Sequence, residues 1–113
     1  MGLMAPQLFT IKKRATFVHI RNEGVFIRSN NFNIQKLVKQ NLDNKIGIGF
    51  TATKKIGNAV KRNKAKRIMR ELAKKICNKG KTNTYYVLIA KASILDANFK
   101  DLLNELEISI NVK

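Results

Sequence analysis

A strongly basic helix with one apolar stripe constrains the fold of this chain more than any other stretch of its sequence. Between Lys54 and Glu71 there are eight Lys and Arg residues and a single acid. Wound at about 100° per residue, the segment collects its apolar side chains on one side. The members of this apolar stripe are Ala65, Ile68, Met69, Leu72 and Ile76. The sequence therefore predicts a helix that packs on a sheet through this stripe.

The other side of this helix is basic, and we call it the basic face. Its members are Arg62, Asn63, Lys66, Arg67, Arg70 and Lys74. Glu71 is the only acid within the helix, so the i, i+4 ion pairs that support a solvated charged face are mostly missing. Repulsion between like charges then costs stability. A solvated surface without a ligand is the alternative, but we favour a face that binds phosphate groups.

The start of the helix adds to this basic surface. Asn58 is the expected N-cap, and Lys54 and Lys55 lie just ahead of it at the end of a predicted strand. The N–H groups of a first helical turn attract anions. Gly47 and Gly49 stand nearby, but their spacing continues into neither a Walker-type nor a dinucleotide-binding motif.

The overall charge indicates a polyanionic partner. Lys and Arg number 23 against 7 Asp and Glu, for a net charge of +16. Nucleic acid is the first candidate, because neutralising phosphates releases condensed counterions. An anionic membrane is the second, but the longest apolar run, residues 46–50, is too short to span one and no lipid anchor is predicted. The sequence favours nucleic acid.

The chain of 113 residues, 44% of them hydrophobic, predicts one domain over residues 1–113, with a loosely ordered lead-in over residues 1–10. Cys77 and His19 are the only residues of their kinds, which excludes a disulfide within the chain and a zinc site built from these ligands. A reducing cytoplasm suits this composition. The acids form no convincing acid–base pair, so we predict no catalytic residue, no metal site and no organic cofactor.

Hydrophobic periodicity predicts an α+β fold in the order helix, strand, strand, helix, strand, helix. The predicted elements are a helix over residues 13–21, an irregular strand over 25–40 broken near 29–31, a strand over 45–53, the basic helix, a strand over 84–92, and a final helix capped by Asp96. We expect Gly24 to cap the first helix in a left-handed conformation. The first two strands are expected to form a hairpin, with the helices against one face of a mixed sheet.

The stretch KKIGNAVKRNKAKRIMRE resembles the signature of the bacterial ribonuclease P protein subunit. That signature runs Lys-Lys-x-Gly-Asn-Ala-Val-x-Arg-Asn-Arg-x-Lys-Arg-x-x-Arg-Glu. The matching positions are Lys54, Lys55, Gly57, Asn58, Ala59, Val60, Arg62, Asn63, Lys66, Arg67, Arg70 and Glu71. Lys64 departs from it, since the family has Arg there, and a Lys cannot make the forked contacts of a guanidinium. Length, charge and element order extend the resemblance over nearly the whole chain.

The resemblance implies an α/β sandwich, similar to some ribosomal domains, with an unusual left-handed crossover at the basic helix. It implies a catalytic RNA that carries the active site and uses Mg²⁺, a precursor tRNA substrate whose 5′ leader is removed, and no obligate protein partner. The signature region would contact the catalytic RNA through Lys54, Lys55, Asn58, Arg62, Asn63, Lys64, Lys66, Arg67, Arg70 and Lys74. A cleft between the first helix and the sheet would hold the single-stranded leader, with Phe17, Arg21, Phe32 and Phe50 as its candidate residues. Burial in the ordinary core is the alternative for the three phenylalanines.

Two other classes of protein fit the size and charge. A ribosomal protein would bind ribosomal RNA without stimulating cleavage of precursor tRNA. A DNA architectural protein would carry a dimer interface and arms for the minor groove, neither of which the sequence shows. All three classes would bind nucleic acid in a salt-dependent way, so the salt dependence of binding does not separate them.

Overall fold

The computed structural model describes residues 7–111, without the side chains of residues 77–79. Its strands are β1 (Leu8–Thr10), β2 (Val25–Arg28), β3 (Phe32–Leu37), β4 (Ile46–Thr51) and β5 (Thr84–Ala90). Its helices are α1 (Arg14–Glu23), α2 (Ala59–Lys79) and α3 (Phe99–Ile110). Short 3₁₀ turns precede α2 and α3, at Lys54–Ile56 and Ala92–Leu95. The predicted order of helices and strands is confirmed, with the irregular first strand divided into β2 and β3.

The five strands form one mixed sheet in the order β1-β4-β5-β3-β2. β5 lies at the centre, parallel to β4 and antiparallel to β3. The predicted hairpin between the strands now seen as β3 and β4 is wrong, because β5 is inserted between them. An apolar strand with buried residues on both faces is most stable in the middle of a sheet. Helix α2 joins the adjacent parallel strands β4 and β5, and the left hand of this connection stays a prediction.

The lead-in is more ordered than the sequence predicts. Leu8–Thr10 form β1, which pairs in parallel with β4 so that Leu8 lies opposite Ile46 and Thr10 opposite Ile48. The bonds continue past the strand, where the N–H of Ile11 donates to the carbonyl of Ile48 at 2.8 Å. The free edge of β4 orders this segment. Residues 1–6 of the predicted lead-in lie outside the described residues.

The sheet is covered on both faces. Alternate strand residues such as Phe32, Ile34 and Leu88 form the larger core with α2 and α3. The residues between them, Leu37 and Val87 among others, pack against Ile20 of α1 in a smaller core. The expectation that all helices share one face is therefore wrong. Both faces of the central strands are apolar, so each face requires a cover.

The basic helix packs as the sequence predicts. Ala65, Met69, Leu72 and Ile76 are fully buried, and Ile68 is half-buried at the margin. The Oδ1 of Asn58 accepts a hydrogen bond from the N–H of Lys61 at 3.0 Å, which confirms Asn58 as the N-cap.

Two predicted caps are wrong. The N-cap of α3 is Asn98, whose Oδ1 accepts from the N–H of Lys100 at 2.8 Å, whereas Asp96 ends the preceding 3₁₀ turn. Gly24 follows α1 in an extended conformation, with φ −86°. A Cβ at this position would lie 2.6 Å from the carbonyl oxygen of Ile20 and 2.8 Å from that of Lys36. Close packing against a neighbouring strand, rather than a left-handed turn, therefore requires the glycine.

The turn between β2 and β3 is held against α3 by one carboxylate. Glu105 accepts hydrogen bonds from the Ser29 hydroxyl at 2.5 Å, from the Asn31 N–H at 2.7 Å and from the Asn31 side-chain amide at 2.6 Å. All three residues are partly buried. These bonds fix the edge strand pair to the helix that covers the larger core.

Replacement of Glu105 should therefore loosen the fold. We expect Glu105→Ala to lower the free energy of unfolding by about 2 kcal/mol, because three partly buried donors of the turn lose a charged acceptor. Denaturant unfolding measures this change. Asn104→Ala, at an exposed position of the same helix, is the control and should change stability by less than about 0.5 kcal/mol. Equal effects of the two substitutions would contradict the role of Glu105.

Candidate nucleic-acid interface

The basic face of α2 points away from the sheet. Asn63, Arg67, Arg70 and Lys74 are exposed, and Arg62 and Lys66 are half-buried where the helix meets its neighbours. Lys64 is exposed as well, but it lies about 200° around the helix from Arg62 at about 100° per residue. The cations therefore occupy both flanks and the outer surface of α2. The structure places Lys64 on the flank opposite to Arg62 and Lys66.

The basic face is poorly neutralised by the protein itself. Lys74 pairs with Glu71 across 3.1 Å, but both side chains are more than half exposed, so the pair contributes little stability. Within the described residues, no carboxylate lies within 4.0 Å of the charged groups of Arg62, Arg67 or Arg70. These guanidinium groups remain available to an anionic ligand.

The segment before α2 presents two more cations. Lys54 and Lys55 are exposed in the 3₁₀ turn, which begins where the Thr53 hydroxyl accepts from the N–H of Lys55 at 3.3 Å. Gly57 follows with φ 136°, a backbone conformation that residues with a side chain rarely adopt. Asn58 binds one N–H of the first helical turn, so the two lysines and the other N–H groups of that turn can attract an anion here.

A second candidate surface lies on the opposite face of the sheet, in a groove of about 620 Å³ beside α1. Phe17 and Arg21 line it, as the resemblance implies. Its other lining residues were not predicted from the sequence; they are Lys12, Arg14, Val18, Gln35, Thr51 and Ile89. The alternation of the strands could have found Gln35, Thr51 and Ile89, because all three share the sheet face opposite to the α2 core.

Two glycines of β4 make room for aromatic rings on this face. A Cβ at Gly49 would lie 2.6 Å from a ring carbon of Phe17, and one at Gly47 would lie 2.5 Å from the ring of Tyr85. Phe9 packs edge-on against Tyr85, with ring centroids 6.3 Å apart. The glycines therefore let aromatic side chains lie directly on the backbone of β4.

Phe32 and Phe50, the two other predicted leader-cleft residues, do not lie in the groove. Phe32 is fully buried among the residues that pack under α2 and α3, and Phe50 is half-buried against the same core. Their partners across the sheet, Ala90 and Leu88, belong to that core too. The period of two along a strand puts both rings on the opposite face from Phe17, so their assignment to the cleft is wrong.

The two surfaces meet at the end of β4. Thr51 lines the groove, and the 3₁₀ turn with Lys54 and Lys55 follows three residues later. A ligand that fills the groove can therefore continue past these lysines towards the start of α2. The chain thus offers a groove and a basic helix as neighbouring parts of one extended surface.

Residues 7–111 contain no group of three or more His, Cys, Asp or Glu side chains placed to hold a metal ion. No helix among them has the length and apolar character needed to cross a membrane.

Contact between Phe17 and Gly49 can be tested by a double-mutant cycle. We expect Gly49→Ala to lower the free energy of unfolding by about 1–3 kcal/mol, because the new methyl group overlaps the Phe17 ring. In a Phe17→Leu background the same change should cost less, since the smaller side chain vacates the space. Denaturant unfolding of the four proteins measures the coupling. An equal cost of Gly49→Ala in both backgrounds would contradict the contact.

Comparison of the sequence with protein families gives one assignment. The family model for Ribonuclease P matches residues 5–112. A ribonuclease P protein component from Syntrophus aciditrophicus is 35% identical, over 85% of this chain and 79% of its own length. Another from Brucella suis is 34% identical, over 95% of this chain and 81% of its own.

Solved structures of RNase P proteins are also similar to this chain. The RNase P protein of Staphylococcus aureus superimposes with a TM-score of 0.74 at 30% identity, over 88% of this chain and 90% of that one. The RNase P protein of Thermotoga maritima gives a TM-score of 0.77 over 93% of this chain and 98% of that one. Its identity of 20% shows a shared fold alone.

Proposed function

The chain belongs to the ribonuclease P protein family, and we propose that it is the RNA-binding subunit of a ribonucleoprotein whose catalytic centre lies in a separate RNA. Its role is that of a protein component of ribonuclease P in tRNA 5′ processing. In the proposal, α2 binds the catalytic RNA and the groove beside α1 binds the single-stranded 5′ leader of precursor tRNA. We also propose that the protein acts in the cytoplasm, as the sequence leads us to expect.

The observation that carries this proposal is the largely exposed and poorly neutralised basic face of α2. A helix of this kind loses stability from its own charges unless an anion offsets them. Folded RNA presents closely spaced phosphates that several Arg and Lys side chains can contact at once. Arg62, Arg67 and Arg70 can each form forked hydrogen bonds with phosphate oxygens, which lysine cannot. A rigid helix held to its sheet by a buried stripe keeps these groups in place.

The groove has the chemistry of a site for single-stranded nucleic acid. Phe17 provides an apolar ring for a base to stack on, and Lys12, Arg14 and Arg21 provide charges for the backbone. Stacking on an aromatic side chain requires an unpaired base, so a duplex would leave Phe17 unused. These features support the 5′ leader as the occupant of the groove.

The residues that line the groove indicate that catalysis takes place somewhere other than in the groove. Its lining contains amide, hydroxyl, apolar and cationic side chains, but no carboxylate, cysteine or histidine. The groove therefore has no general base of ordinary pKa to activate water. We place hydrolysis in the RNA, where Mg²⁺ would supply an activated water and stabilise the leaving oxygen. The protein's part is to bind and orient the leader and the catalytic RNA.

The ribosomal and DNA-binding alternatives gain no support from the comparisons. The relatives and solved structures described above are all ribonuclease P proteins. No observation on the fold favours a dimer or minor-groove arms within the described residues.

Cleavage assays test the proposal directly. A 5′-labelled precursor tRNA is incubated at low Mg²⁺ with the protein, with its cognate catalytic RNA, and with both. We expect efficient cleavage only in the mixture. Arg67→Ala should weaken binding of the catalytic RNA by about ten-fold, through the loss of about one charge-assisted contact. It should also reduce the slope of log affinity against log salt by about one.

Lys100→Ala is the matched control, because it removes one exposed positive charge from α3, on another part of the surface. We expect it to leave both the affinity and the salt slope nearly unchanged. Equal losses for Arg67→Ala and Lys100→Ala would mean that net charge, rather than the basic face, governs binding. Absence of stimulation by the folded protein would contradict the proposed function as a whole.

A further inference from the structure

An exposed aromatic side chain lies just outside the groove. Phe26 of β2 is 50% exposed, and β2 is the edge strand of the sheet. An exposed phenylalanine on an edge strand costs solubility and favours association, so proteins normally place charged residues there. The position of Phe26 within the sheet indicates what it could contact.

Strand pairing places Phe26 on the groove face. Phe26 lies directly opposite Gln35 of β3, and Gln35 lines the groove. Residues opposite one another in an antiparallel pair project from the same face of the sheet. The neighbours of Phe26 on β2 project from the other face, where Ile27 is buried in the larger core. The ring of Phe26 therefore continues the floor of the groove.

Phe26 and Phe17 mark the two ends of one row across the sheet. The register aligns Gly49 with Val87, Val87 with Gln35, and Gln35 with Phe26. Phe17 lies on Gly49 at the first end of this row. Three strand spacings of about 4.8 Å separate Gly49 from Phe26, which is about 14 Å. At a stacked rise of about 3.4 Å, that distance spans about four nucleotides.

We propose that the single-stranded leader crosses the sheet in the groove beside α1, parallel to this row, and that Phe26 is a second stacking platform for one of its bases. This inference rests on the proposed function, because it takes the leader as the occupant of the groove. Arg21 lines the groove beside Gln35, and Arg28 is exposed two residues from Phe26 on the same face. Both guanidinium groups are available to the phosphates of a nucleic-acid strand that follows the groove.

The two ends of the groove differ in their distance from the basic helix. Thr51 of β4, at the groove end nearest to Lys54 and Lys55, leads into α2, whereas Phe26 lies on the edge strand β2, three strands away. If α2 binds the catalytic RNA, the cleavage site lies towards the Thr51 end. Phe26 then contacts leader bases farther from the cleavage site than those that Phe17 contacts. Its contribution therefore depends on the length of the leader.

The experiment measures the affinity of the reconstituted ribonucleoprotein for precursor tRNAs with leaders of about two and about ten nucleotides, lengths below and above that of the row. We expect Phe26→Ala to weaken binding of the long-leader substrate by about five-fold or more, the effect of one lost base–aromatic stack. Binding of the short-leader substrate should change by less than about two-fold. Phe26→Tyr should retain the affinity, because tyrosine keeps the ring.

Val25→Ala is the matched control. Val25 is 52% exposed on the same strand, but it is paired with Lys36 and projects from the other face of the sheet. We expect this substitution to leave both affinities unchanged. Thermal unfolding of each variant, which the exposure of both side chains should leave unaltered, checks that the fold is intact.

The outcomes separate this inference from the proposed function. A preference of the wild-type complex for the long leader that survives Phe26→Ala would overturn the inference and leave the proposed function standing. Equal losses for short and long leaders, or a change in self-association of the free protein in sedimentation, would also overturn it, because Phe26 would then serve the catalytic RNA or a second copy. A wild-type complex indifferent to leader length would refute the leader groove itself.

Discussion

Burial of β5 on both faces is the constraint on which the rest of this structure depends. Tyr86 and Leu88 point to one side of this central strand, where α2 and α3 cover them. Val87 points to the other side, where α1 covers it. A strand that is apolar on both faces cannot lie at the edge of a sheet or under a single layer of helices. The two helical layers, and hence the two candidate surfaces, follow from this requirement.

The helices cover the two faces of the sheet to different extents, and this difference creates the candidate functional surface. The apolar stripe of α2 is fully used against the sheet, so its remaining circumference is free to carry charge. Helix α1 has ten residues and covers only part of the sheet face on which it packs. The uncovered part of that face includes Gln35 and Ile89, which form the floor of the groove. A rigid cationic helix and an open sheet face suit two different ligands, a folded RNA and a single strand.

Features set by neighbouring residues could be predicted from the sequence. The stripe of α2, the Asn58 cap and the order of the elements depend on spacings within one helix or strand. Other features depend on partners far along the chain. These are the strand order of the sheet, the formation of β1 by the lead-in, and the division of the helices between the two faces. The misassignment of Phe32 and Phe50 has the same origin. Their residue type suits a stacking site, but the face from which they project is fixed by the register with β5.

We infer that one protein holds two RNAs, a catalytic RNA on the basic face of α2 and a 5′ leader in the groove beside α1. Photo-crosslinking in the assembled ribonucleoprotein tests it most directly, with a crosslinker attached through a cysteine at Asn63 of α2 or at Gln35 of the groove, in a Cys77→Ser background. We expect crosslinks from position 63 to the catalytic RNA and from position 35 to the 5′ leader. Crosslinks from both positions to the same RNA, or from position 35 to the body of the tRNA alone, would contradict it.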